Sequence, residues 1–133
     1  MIDIIFGGAQ KAVLSTKTIG DIDDITVALD VSDGVLLCID YDDRVISRNR
    51  QISKMTPKMV AQKASNVGLE EIVFTDHGRR RKDAPKLDII SDLVKSGLGV
   101  YISGNIVEKD LPGLQKAGVK GALLDLGEII MNW

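Results

Sequence analysis

Short apolar runs alternate with longer amphipathic stretches along this chain, and this alternation restricts the fold more than any other feature. The apolar runs are too brief to be buried helices and are typical of strands. Because strands joined by helices run parallel, the pattern predicts an α/β protein. The predicted strands are residues 11–15 (KAVLS), 25–31 (ITVALDV), 71–76 (EIVFTD), 100–103 (VYIS) and 121–125 (GALLD).

Three helices are predicted between the later strands. Thr56 is a good N-cap and Pro57 suits the first helical turn, so a helix starts there and stops at Gly68. Residues 86–96 repeat the arrangement with one apolar face and a glycine stop at Gly97. A third helix over residues 108–117 ends at Gly118.

One segment interrupts the alternation. Asp33-Gly34 is a turn signal between ITVALDV and VLLCIDY. We therefore expect the chain to double back there as a short hairpin, before a polar loop over residues 42–54.

Charge and cysteine content exclude several classes of protein. Seventeen basic against 19 acidic residues leave a net charge of −2, so no general attraction to nucleic acid or anionic membranes is expected. Cys38 is the single cysteine, which rules out an internal disulfide and a cysteine-rich zinc site. The apolar run 2–6 is too short to span a membrane and lacks signal-peptide features. A cytoplasmic protein without metal or cofactor is predicted.

Several segments together resemble one protein family. EIVFTD, the basic loop after it, and KLDIISDLVKSGLGVYISGNIVEKDLPGLQKAGVKGALLDLGEII are similar to the last three strand–helix units of phosphoribosylformimino-aminoimidazole-carboxamide ribotide isomerase and its sister cyclase in histidine biosynthesis. Upstream, GGAQKAVLST and VALDVSDG resemble the family's fourth and fifth strands. The resemblance implies one domain over residues 1–133, a half-barrel like strands 4–8 of a (β/α)₈ TIM barrel. Helices would cover one side of its parallel sheet.

The resemblance also implies an activity and its catalytic residues. The family's isomerase converts an aminoaldose to an aminoketose with two carboxylates, one from each half of the barrel. Asp30 matches the carboxylate of the second half, and Thr75 and Asp76 end the next predicted strand. The carboxylate of the first half is not in this chain. A homodimer, or a partner chain that supplies the other half, is therefore expected.

The remaining candidates would bind a phosphorylated sugar or ribotide. An arginine offers a planar fork to phosphate oxygens, while backbone N–H groups near a strand end can form a phosphate nest. A histidine near neutral pH can also move a proton. Asp125 stands where the family has glycine and, with Glu128, would repel a phosphate. The predicted ligand-binding residues are His77, Arg79, Arg80, Arg81, Ser103, Gly104, Asn105, Asp125 and Gly127, with Lys82 extending the basic run.

Three functions remain open from the sequence. The first is an isomerase of phosphorylated sugars, completed by a second chain. The second is a catalytically silent relative that serves as a binding or assembly module. It is favoured because the first half of the barrel is missing and because acidic residues stand where the family binds phosphate. The third is a small flavodoxin-like domain, complete by itself, since the same strand–helix units can form a flat sheet.

Overall fold

A computed structural model describes residues 2–6, 9–32, 34–80, 83–124 and 130–132, with side chains described between residues 13 and 122. The strands are β1 Ile2–Phe6, β2 Ala9–Ser15, β3 Val35–Tyr41, β4 Glu71–Asp76, β5 Gly99–Ile106, β6 Gly121–Leu124 and β7 Ile130–Asn132. The helices are α1 Asp23–Val31, α2 Arg50–Ser53, α3 Pro57–Asn66, α4 Leu87–Lys95 and α5 Leu111–Ala117, the last preceded by the 3₁₀ turn Glu108–Asp110.

The strands form one sheet in the order in which they occur in the chain. Strands β2 to β6 are parallel, while β1 pairs with β2 and β7 pairs with β6 in antiparallel fashion. Each crossover steps to the next strand in the same direction, and right-handed crossovers of that kind place their helices on one face. The predicted α/β class with a parallel sheet is confirmed. The sequential order suits a half-barrel and differs from the 2-1-3-4-5 order of flavodoxin-like sheets.

Among the residues with described side chains, one core cluster lies between the sheet and the helices. Every second strand residue faces it, including Leu37, Ile72 and Phe74, and the helices contribute Val60 and Leu93. Cys38 and Thr75 are therefore on the opposite face of the sheet, where they are only half-buried. One face of the sheet thus packs against the helices in the core, and the other carries polar groups.

Most predicted elements agree with the structure. Strand β4 has the predicted bounds, and β2, β5 and β6 contain or nearly match their predicted strands. Thr56 caps α3 by accepting a hydrogen bond from the Met59 backbone N–H, with Pro57 at the first helical position as expected. Helix α5 ends at Gly118, which has a φ of 96°. The three predicted helices are confirmed.

The predicted strand over residues 25–31 is wrong, and so is the hairpin. This segment is helix α1, and the chain passes from it into β3, which runs parallel to β2. Ile25 and Ala28 bury one side of α1, whereas Val27 and Val31 are 63% and 75% exposed. Two neighbouring parallel strands need a crossover between them, and that requirement overrides the preference of Ile and Val for strands.

No helix within the described residues is both long enough and apolar enough to cross a membrane.

Candidate active site at the carboxyl edge of the sheet

The carboxyl ends of β3 and β4 bring polar side chains together. Asp40 pairs in register with Thr75, and Thr75 pairs with Ser103 of β5. Because side chains alternate along a strand, these three residues form a row on the face opposite the helices. The strand ends are parallel, so this row lies at a single edge of the sheet.

Asp40 is the centre of a buried cluster in this row. Its side chain is only 4% exposed, and its Oδ1 lies 2.6 Å from His77 Nε2 and 3.8 Å from Lys17 Nζ. The Ser15 hydroxyl donates to Oδ2, and the backbone N–H of Asp40 donates to the Thr16 hydroxyl at 3.0 Å. A buried carboxylate needs such partners, because the cost of removing a charge from water must be offset.

His77 is the first residue after β4 and the only histidine in the chain. Its backbone N–H donates to the Tyr41 carbonyl at 2.7 Å, which ties the loop to the end of β3. The side chain is 40% exposed, so His77 contacts Asp40 and is also accessible to solvent. An ionised carboxylate only accepts hydrogen bonds, so beside ionised Asp40 the Nε2 atom carries the proton and Nδ1 is the ring nitrogen that can accept one. This arrangement suits general acid–base chemistry.

Cys38 adjoins the cluster but is not a nucleophile. Its Sγ lies 3.3 Å from the Thr75 hydroxyl and 3.7 Å from Asp40 Oδ1. Burial, and after it the negative charge of Asp40, raise the pKa of the thiol to about 12. Since the thiolate is the reactive form, Cys38 is inert at neutral pH.

Asp76 forms a second group on the helix side of the same edge. Its carboxylate accepts from Lys86 Nζ at 2.5 Å and from the Gly78 backbone N–H at 3.1 Å. The hydrogen bond to Asp76 raises the pKa of Lys86, against the opposing effect of burial, and its Nζ lies 5.9 Å from the centre of the Tyr41 ring. Asp76 therefore fixes the loop, and the structure does not bring it together with Thr75 as a second catalytic group.

Arg79 does not occupy the position expected of a phosphate ligand. Its guanidinium is 2% exposed and donates to Asp110 Oδ2 at 2.6 Å. The same group donates to the carbonyls of Asp83, Gly104 and Asn105. All these acceptors belong to the protein, so the guanidinium holds loops together and is closed to solvent. The predicted use of this arginine for phosphate is not supported.

Arg80 and Arg81 complete the predicted basic run. Arg80 is exposed, and its backbone N–H donates to the Asp83 carboxylate at 3.1 Å. Arg81, with Lys82, lies outside the described residues, as do Asp125 and Gly127. Of the two arginines of this run that the structure describes, Arg80 is exposed and Arg79 is buried.

The predicted phosphate nest lies at the end of β5. Gly104 and Asn105 both have positive φ, 103° and 56°, and the sheet register shifts there. A Cβ on Gly104 would lie 2.8 Å from the Asp76 carbonyl oxygen, so only glycine fits without a shift. The Asn105 side-chain amide donates to the Arg79 carbonyl at 2.8 Å. Ser103, next to this turn, shares the open face with Thr75.

Asp30 is not at a strand end, and its predicted place in the site is wrong. It is exposed in the last turn of α1, which leads towards the amino edge of the sheet and away from Thr75. The strand before β4 is β3, and Asp40, ten residues after Asp30, is the residue before its last one, Tyr41. Asp40 was not among the predicted site residues because VLLCIDY was interpreted as a returning hairpin strand. Lys17 was not among them either, because no motif distinguishes it.

No group of three or more metal-ligating side chains occurs among the described residues. Comparison of the chain with models of known protein families finds no match, and comparison with curated proteins finds none either.

Proposed function

We propose that this chain catalyses proton transfer between adjacent carbons of a phosphorylated sugar, as an isomerase related to the ribotide isomerases of histidine biosynthesis. The observation that carries the proposal is the 2.6 Å contact between His77 and the buried carboxylate of Asp40 at the carboxyl edge of the sheet. A histidine that is held by a carboxylate and is partly open to solvent is suited to take and return a proton.

The chemistry follows from the orientation of the imidazole. Nδ1 of His77 removes the proton from C2 of the sugar, and Asp40 stabilises the imidazolium that results. The same imidazolium returns the proton to C1, which completes the change from aldose to ketose. The hydroxyls of Thr75 and Ser103 line the same face and would bind sugar hydroxyls.

The family resemblance supports the proposal once the strand assignment is corrected. The resemblance implies a carboxylate at the end of the strand before the Thr-Asp strand, and Asp40 has that position rather than Asp30. It also implies a carboxylate from a first half-barrel. We propose that a second copy of the chain, or a partner chain, covers the open face of the sheet and supplies that group, with phosphate bound near Ser103.

Exchange of the C2 proton with solvent tests this function without knowledge of the product. Ribose 5-phosphate and related aldose phosphates are incubated in D₂O with the full chain, and loss of the C2 proton signal is followed by NMR. We expect His77→Gln to slow the exchange by at least about a hundredfold, because general acid–base groups typically contribute 10²–10⁴-fold.

Glu70→Gln, an exposed change just before β4 at the amino edge of the sheet, is the control and should leave the rate unchanged. If a second copy completes the site, the rate per chain rises with chain concentration until the dimer is saturated. Exchange that continues undiminished in His77→Gln would contradict the proposal.

A catalytically silent binding or assembly module is the second candidate. One observation favours it: the Arg79 guanidinium, an expected phosphate ligand, is instead enclosed by protein acceptors. This candidate predicts no C2 exchange with any aldose phosphate at any chain concentration.

A further inference from the structure

Lys17 is a charged member of the Asp40 cluster to which the proposed proton transfer gives no role. Its Nζ lies 3.8 Å from Asp40 Oδ1, the oxygen that the His77 ring also contacts. This separation is too long for a hydrogen bond, so only charge attraction holds the ammonium group there. Within the described part of the chain its Nζ makes no hydrogen bond, and the side chain is 47% exposed.

Asp40 is satisfied without a hydrogen bond from Lys17. The Ser15 hydroxyl donates to one carboxylate oxygen, and His77 contacts the other. The ammonium group is therefore a cation with three available donors, placed beside the catalytic pair and open to solvent. The ammonium group and the imidazole are both within 4 Å of the same oxygen atom, so the two groups are neighbours beside Asp40.

We propose that Lys17 binds the oxygen that becomes negatively charged when His77 removes the C2 proton, an inference that rests on the proposed function. As the C2–H bond breaks, its electron pair forms the C1=C2 bond, and the carbonyl pair moves onto O1. The enediolate oxyanion that results is stabilised by the ammonium group. The imidazolium then protonates C1, while the O2 proton moves to O1 and C2=O2 forms, so atoms and charge balance.

This role specifies the class of substrate. A sugar phosphate with a carbonyl oxygen at C1 places its developing negative charge against Lys17. A ribosylamine instead passes through an iminium, whose positive charge at C1 would be repelled by the ammonium group at the same distance. The preferred substrate is therefore an aldose phosphate, which departs from the aminoaldose that the family resemblance implies.

Two matched ligands separate oxyanion binding from phosphate binding. 5-Phospho-D-arabinonate has a carboxylate where the enediolate forms, and D-arabinitol 5-phosphate has a neutral hydroxymethyl group there. We expect calorimetry to show that Lys17→Met weakens binding of the first by at least about tenfold and of the second by less than about twofold. Lys17→Arg should retain most of the affinity, and Lys95→Met, an exposed lysine on α4, should change neither.

An equal loss for both ligands would assign Lys17 to phosphate and overturn the inference, and so would no loss for either. The two proposals fail separately. If His77→Gln stops C2 exchange but Lys17→Met does not weaken arabinonate phosphate selectively, only the inference fails. If no variant or wild-type chain exchanges the C2 proton but the selective loss persists, the oxyanion site stands without the isomerase. Failure of the wild-type chain to bind either ligand contradicts both.

Discussion

Two buried aspartates near the same edge of the sheet differ in what surrounds them. Asp40 lies on the open face with half-exposed partners, His77 and Lys17. Asp110 lies at the start of α5 with Arg79, and the two side chains are only 5% and 2% exposed. The chemistry of each pair is similar, a carboxylate beside a nitrogen group. Exposure of the partner decides which pair can meet a ligand and which can only stabilise the fold.

The closed pair explains how the open pair is positioned. Arg79 connects the loop after β4 to the end of β5 and to the start of α5, through acceptors on all three. His77 is two residues earlier in the same loop, anchored to Tyr41. The comparison therefore predicts that changes to the closed pair mainly reduce stability, while changes to the open pair mainly alter chemistry.

Loss of one partner from the closed pair should have the largest effect. Arg79→Met leaves the Asp110 carboxylate buried without its cation, so the free energy of unfolding should fall by about 3 to 5 kcal/mol. Arg80→Met, the exposed neighbour, is the control and should change stability by less than about 0.5 kcal/mol. Urea unfolding followed by circular dichroism measures both. Equal effects of the two variants would show that the buried pair has no special importance.

The contact between the β5 turn and β4 should be next in size. Gly104→Ala adds a Cβ 2.8 Å from the Asp76 carbonyl oxygen at a φ of 103°, so both strain and a clash result. We expect a loss of about 2 to 4 kcal/mol. Gly97→Ala is the matched control, since φ is 90° but no atom lies within 4 Å of the added Cβ; about 1 kcal/mol is expected. Thermal unfolding of the two variants gives the difference in stability. Equal losses would mean that the β5 turn accommodates the added Cβ without a measurable loss of stability.

The smallest expected effect is that of the Asp40 charge on the reactivity of the Cys38 thiol. Because the pKa of Cys38 is about 12 rather than 9.0, alkylation by iodoacetamide at pH 8 should be at least roughly tenfold slower than for an unhindered thiol. Asp40→Asn removes a negative charge that disfavours the thiolate, so it lowers the pKa and should speed labelling several-fold. Asp76→Asn, on the other face, should not. Labelling that is equally slow in both variants would show that burial alone suppresses the thiolate.

The sequence predicted the elements that local signals define. Strand β4 has the bounds that its apolar run predicts, and α3 begins where Thr56 and Pro57 indicate. The site was predicted only in part. Thr75 and His77 were identified because they lie at the end of a clearly predicted strand and just after it, whereas Asp40 was missed because its strand was treated as half of a hairpin. The spacing of Ile25, Ala28 and Leu29 was the signal that α1 is a helix.

The sequence by itself determined the α/β class, the parallel strands and the presence of polar groups at their carboxyl ends, because periodicity, caps and glycine stops are local properties. Only the tertiary structure decided which of those groups meet. Residues 25–31 became a helix because adjacent parallel strands require a crossover. Arg79 is buried and connects loops because Asp110, 31 residues later, lies beside it. Such distant contacts depend on sheet order and loop path, which no local pattern specifies.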